Sequence, residues 1–257
     1  MEHARELAQR YVGRPGVIGV YLVGSASRPF RDRISDYDLE VAVEDEAYER
    51  TGFEERHVFA IDDGPPRRVD HEFYLRPWSE LAAMERSPLD LDHYPFQHAV
   101  ILHDPQRLLG ELFPRLAALP AEVQATRVRV HYLETVFALG RAAKCLERGS
   151  DLATRLVLGE GLVALTKLLA VVCGSWAPTR HWAAEELRLL GVPEEIPARM
   201  AALLSAPTPQ GIKELQGAVH AWLDHGGISL DRDRTSLIRW AFFTAEGKAA
   251  FRTWGAR

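Results

Sequence analysis

GVYLVGSASRPFRDRISDYDLEVAVED, residues 19–45, places two carboxylates, Asp36 and Asp38, inside an otherwise apolar run. The stretch begins with the end of VIGVYLVG, a β-branched and aromatic segment at 17–24 that predicts a strand stopping at a glycine. SASRPFRDRIS follows with neither a helical nor a strand period and predicts a loop. DYDLEVAV then alternates acid and apolar side chains. As a second strand it sets Asp36, Asp38 and Glu40 on one face and Tyr37, Leu39 and Val41 on the other.

Carboxylates at i and i+2 of a strand have α-carbons roughly 6.5 to 7 Å apart and project to the same side. Buried without a counter-ion, they repel, and one is driven towards its neutral form. A divalent cation removes the conflict, because hard oxygen ligands on such positions can converge on Mg²⁺ and leave coordination sites for phosphate oxygens. The residues ahead of the pair suit the same ligand. Gly24 allows close approach of backbone to a bulky group, and Ser25 can donate to an anion through its amide and its hydroxyl. Alternating polarity alone also fits a strand whose acidic side faces solvent. Gly24-Ser25 ahead of the pair, and VDHE at 69–72 after it, favour the cation site.

Outward from this stretch, Ala4, Leu7, Ala8 and Tyr11 have helical spacing, and Gly13 and Pro15 supply a stop. RRVDHEFYL at 67–75, after the turn DDGPP, predicts a third strand with Asp70 and Glu72 on one face. HAVILHDP at 98–105 predicts a fourth short strand or a connector. From about residue 106 the pattern turns to long helical periods, which sets the expected domain boundary between 106 and 107. Tyr132, Val136, Leu139, Ala143 and Leu146 keep helical spacing up to Gly149. A helix over roughly 152–173 is apolar nearly all round, as in the middle of a bundle. Gly159 and Gly161 inside it predict close approach of a neighbouring helix or a ligand. Thr208-Pro209 reads as a cap and first turn. The fold class is therefore α+β, a strand-bearing half followed by an all-α helical bundle.

Composition bounds the partners. A chain of 257 residues, 47% hydrophobic and 26% charged, has an ordinary globular makeup. Its net charge of -5 argues against general nucleic-acid binding, which needs clustered Lys and Arg. The longest apolar run, at 161–176, is broken by Lys167 and is shorter than the roughly 20 residues of a membrane span. Cys145 and Cys173 have no Cys or His at metal-ligand spacing and predict core thiols of a reducing compartment. With no signal-like segment in MEHARELAQRY, a cytoplasmic location is expected.

LVGSASRPFRDRISDYDLEV resembles the signature of the polymerase-beta-type nucleotidyltransferase superfamily: an apolar strand, Gly-Ser, a loop of this length, then acid-x-acid on the next strand. The superfamily's third carboxylate lies on a later strand in an apolar-acid-apolar context. Asp70, after Val69, matches that form best, with Glu72 close behind. More loosely, KCLERGSDLATRL, LLAVVCGSWAPTRHW and ILHDP resemble segments of the aminoglycoside- and lincosamide-type adenylyltransferases with a C-terminal helical domain. The resemblance implies a nucleotidyltransferase domain at 1–106, a mixed sheet flanked by helices, and an acceptor-binding bundle at 107–257. Asp36 and Asp38 would ligate metal. Asp70 would complete the acceptor-side metal and help deprotonate the attacking hydroxyl, with Glu72 as the alternative ligand. Gly24, Ser25 and Arg28 would bind the nucleotide. The implied cofactor is Mg²⁺, as two ions, with a nucleoside triphosphate, ATP first, as substrate and a small-molecule hydroxyl as acceptor. A homodimer is a further expectation, because relatives of this design often pair. Two other readings stay open: adenylylation of a protein or RNA, as in toxin-antitoxin relatives, and nucleotide binding without transfer.

Overall fold

The computed structural model describes residues 1–65, 67–228 and 230–255. The chain divides into two compact units, Met1–Ala118 and Leu119–Arg257. The first is built on a five-stranded mixed sheet. In chain order it comprises α1 (Glu2–Ala8), β1 (Val17–Val23), β2 (Tyr37–Val43), α2 (Asp45–Arg50), α3 (Phe53–Arg56), β3 (His57–Asp62), β4 (Arg68–Pro77), α4 (Trp78–Ala83), β5 (Val100–His103) and α5 (Leu108–Ala117).

The strands lie in the order β3-β4-β2-β1-β5. β1 is antiparallel to both β2 and β5, β3 is antiparallel to β4, and β2 and β4 run parallel. The parallel pair follows from the chain leaving β2 through α2, α3 and β3, which returns it to the start of the sheet. β3 was not expected from the sequence. His57–Asp62 forms the sheet edge, where Phe59 and Ile61 are exposed rather than packed into a core.

β1 is apolar on both sides because both sides are covered. Val20 and Leu22 pack with Leu39, Val41 and Phe73 against Ala4 and Ala8 of α1. Tyr21, Val23 and Ala42 face the other way, onto Leu81 and onto Leu109, Leu112, Phe113 and Leu116 of α5. This second core moves the domain boundary. The units divide between Ala118 and Leu119, one helix later than the expected 106/107, because the apolar stripe of α5 belongs to the sheet.

The second unit is helical, with α6 (Ala121–Glu147), α7 (Asp151–Val172), α8 (Ala183–Leu189), α9 (Glu195–Ser205), α10 (Pro209–His225), α11 (Arg234–Phe243) and α12 (Ala245–Trp254). Its core joins Leu133, Leu139, Leu158, Leu165 and Leu169 of the long α6–α7 pair to Ile212, Leu215 and Leu223 of α10. Gly161 marks the close approach expected of it: a Cβ there would lie 2.9 Å from the Cβ of Ala138. Gly159 has no such neighbour. Thr208 caps α10, its hydroxyl oxygen accepting from the Gly211 amide at 3.0 Å. No described helix is long and apolar enough to cross a membrane. Cys145 and Cys173 are free thiols, both partly buried.

Candidate active site

β2 begins at Tyr37, so Asp36 stands just ahead of the strand and Asp38 is its second residue. Asp38 is in register with Val23 at the end of β1 on one side and with Glu72 of parallel β4 on the other. Adjacent strands are about 4.8 Å apart. Asp38 and Glu72 therefore stand side by side, close enough for Glu72 to raise the Asp38 carboxyl.

The acid-bearing face of β2 is not simply a solvent face. Farther along it Ala42 is buried beneath the α5 core, and Glu40 is neutralised within the fold. Arg76 donates to Glu40 at 2.8 and 3.1 Å, and the Tyr21 hydroxyl donates at 2.6 Å. Asp38 has no comparable cation among the described residues. Burial, then Asp36, Glu72 and Glu40, push its carboxyl up to about 7. Asp36 is raised as well, chiefly by burial and secondarily by Glu72. One strand face thus carries an acid with a built-in counter-charge and, nearer the strand end, acids that lack one.

Gly24 admits Asp38 to this position. Its backbone, at φ 67° and ψ -159°, is a conformation that essentially only glycine adopts. A Cβ at Gly24 would also fall 1.7 Å from Oδ2 of Asp38. Ser25 opens the short 3₁₀ turn Ser25–Ser27 that follows, and the Ser27 hydroxyl donates to the Gly24 carbonyl at 2.8 Å.

Arg28, expected on phosphates, is instead buried, with 5% of its surface exposed. Its guanidinium donates to the carbonyls of Gly24 at 2.9 Å and Tyr94 at 3.2 Å, and stacks on the Tyr94 ring at 4.1 Å. A charge in that setting holds the turn in place from behind. Arg28→Met should therefore cost about 1–3 kcal/mol in urea unfolding, by leaving two carbonyls without a charged donor.

Asp70 and Glu72 do not share one environment. The β3–β4 register pairs Ala60 with His71 and Ile61 with Val69, which leaves Asp70 as an extra residue in β4. Such a bulge re-aims a side chain. Asp70 lies 2.8 Å from Nδ1 of His71 and 3.8 Å from Nε2 of His3 on α1. The His71 hydrogen bond holds its carboxyl below the usual range. Asp70 thus pairs with His71 and lies near His3, whereas Glu72 stands beside Asp38 and near Asp36. Its other neighbour, unexpected from the sequence, is His57 at the start of β3, whose Nε2 is 2.8 Å from Glu72 Oε2.

A cavity of about 370 Å³ opens over these groups, lined by Gly24, Asp38, Glu40, His57, Glu72 and Arg76 among others. This volume is within the usual range for small-molecule sites. Among the described residues no three His, Cys, Asp or Glu side chains are gathered closely enough to hold a metal ion as they stand. The donor chemistry nevertheless fits a hard divalent cation: oxygen ligands on adjacent strands, two of them raised in pKa with no cation to answer them.

No protein-family model matches this sequence, and no curated protein matches it. Among solved structures the chain is similar to a nucleotidyltransferase-like protein from Exiguobacterium sibiricum 255-15, at 15% identity and a TM-score of 0.46, covering 98% of this chain and 78% of that one.

Proposed function

We propose that the protein is a nucleotidyltransferase that moves a nucleoside monophosphate, AMP from ATP first among the candidates, onto a hydroxyl of a small molecule. The observation that carries this reading is the grouping of Asp36, Asp38 and Glu72 beside the Gly24 turn, with Asp38 and Glu72 lining a cavity and no cation answering Asp38 among the described residues. In the reaction the acceptor oxygen bonds to the α-phosphorus, the bond from that phosphorus to the bridging oxygen breaks, and pyrophosphate leaves. The hydroxyl proton passes to a carboxylate of the group, which replaces Asp70 in that role. Asp36, Asp38 and Glu72 would hold Mg²⁺, which when bound neutralises triphosphate charge and polarises the acceptor hydroxyl. Ser25, at the start of the turn, offers its amide and hydroxyl to the terminal phosphates.

Cation binding should release a proton. Asp38 keeps its proton up to about pH 7, and a ligated carboxylate must give it up. Calorimetry of Mg²⁺ binding just below that pH, in buffers of different ionisation enthalpy, should register the release. It should disappear about two units higher, where Asp38 is already ionised.

The transfer itself is tested with ATP labelled at the α-phosphate, Mg²⁺ and a cell extract, followed by separation by size. Label is expected in the small-molecule fraction, with matching pyrophosphate. Glu72→Gln should lose transfer by roughly 100-fold or more, whereas Asp70→Asn should stay within about threefold of wild type. Label in a macromolecule would favour the protein or RNA acceptor. Nucleotide binding with no transfer in any fraction would favour a non-catalytic role.

A further inference from the structure

The helical unit has its own cavity, of about 220 Å³, with walls of opposite character. Phe137, Gly140, Arg141 and Lys144 recur at helical spacing, so they share one face of α6. Arg234, in the first turn of α11, forms the facing wall. Three cations therefore surround one hollow, and no acid lines it. None of the three has an ion-pair partner among the described residues. Asp233, next to Arg234, is engaged in capping α11, accepting from the Ser236 amide at 2.7 Å. Like charges so placed repel, in a chain whose net charge is -5. Arg234 also lies over the Phe137 ring, 5.3 Å from its centroid, which fixes the guanidinium beside an apolar surface.

Gly140 supplies the second observation. Glycine in a helix interior weakens the helix relative to alanine, and close packing of a neighbour is the common reason to find one. Gly161 meets that description, but Gly140 does not, since a Cβ there would find nothing within 4 Å. The missing side chain instead leaves the floor of the cavity open.

We propose that this cavity binds a small dianion with a flat apolar body, of the phosphate monoester class. Arg141, Lys144 and Arg234 take the oxyanion, and Val136 and Phe137 take the body. Guanidinium forks suit a tetrahedral oxyanion, and three cations suit two negative charges. The proposal is independent of nucleotidyl transfer at the sheet.

Phenyl phosphate titrated calorimetrically into the full-length protein, with EDTA present to silence any cation-dependent site, provides the test. One site with a dissociation constant on the order of 10⁻⁴ M is expected, with no binding of phenol. Gly140→Leu, which fills the floor with a better helix former and whose Cβ meets no neighbour, should abolish binding while leaving the circular dichroism spectrum and melting temperature intact. Arg141→Gln with Lys144→Gln, on exposed positions, should weaken it by roughly tenfold or more. No binding to the wild type, or undiminished affinity in both variants, would overturn the proposal.

Discussion

An Asp38→Asn variant is expected to lose nucleotidyl transfer by roughly 10³-fold or more, and to be more stable than the wild type above neutral pH in the absence of divalent cation. Both effects have one cause. Asp38 is pushed up to about 7 by burial and by Asp36, Glu72 and Glu40, so the folded protein binds a proton that the unfolded chain, titrating near 4, has lost. The sign follows from linkage. This stabilising contribution is fully present below the unfolded value and is lost as the pH rises through about 7. Above it, folding must bury an unanswered negative charge. An amide of the same shape removes that charge, and the gain near pH 8 should be about 1–3 kcal/mol, visible as several degrees in melting temperature. Near pH 4 the difference should largely vanish. Saturating Mg²⁺ should narrow it at high pH by restoring the missing counter-charge for the wild type alone. Equal stability of the two proteins across the pH range would mean that Asp38 is solvated and the site is not charged as described.

Gly24→Ala is expected to be the most damaging single substitution around the cavity. Its backbone conformation alone costs a non-glycine residue about 1–3 kcal/mol. The clash with Asp38 comes on top, because a new Cβ at 1.7 Å from Oδ2 cannot coexist with that rotamer. A total of about 3–5 kcal/mol, together with loss of transfer, is the expected result. A double-mutant cycle separates the two contributions. In an Asp38→Ala background the nearest remaining atom of that residue is its Cβ, 3.2 Å away. Gly24→Ala should then cost only the backbone portion, giving a coupling of about 1–3 kcal/mol. Additive costs would show that Asp38 does not lean on the Gly24 turn.

What was legible in the sequence was local. Asp36, Asp38 and Gly24 could be found because a strand period of two and a glycine at a strand end are properties of a short window. Asp36 proved to lie just ahead of β2, yet close enough to raise Asp38. The choice between Asp70 and Glu72 was not local. Their shared parity holds only in a regular strand, and the bulge that breaks it is set by pairing with β3. β3 itself escaped detection because, at the sheet edge, HVFAID leaves Phe59 and Ile61 exposed and buries no continuous face. With β3 went His57, the partner of Glu72. Arg28 was misjudged for a related reason: its role is set by Tyr94, 66 residues away, and a loop arginine has no periodicity from which burial could be inferred. The domain boundary moved because the apolar stripe of α5 would serve either a bundle or a sheet, and only the second apolar side of β1, with the packing of Tyr21 and Ala42 against α5, decides which.

Whether Asp36, Asp38 and Glu72 form a cation-dependent nucleotide site is tested most directly by calorimetric titration of ATP with and without Mg²⁺. The wild type should bind ATP only when Mg²⁺ is present, and an Asp36→Asn, Asp38→Asn double variant, shown to be folded, should not bind it in either condition. Binding that is indifferent to Mg²⁺, binding that survives in the double variant, or no binding of any of the common nucleoside triphosphates to folded wild-type protein would contradict the account.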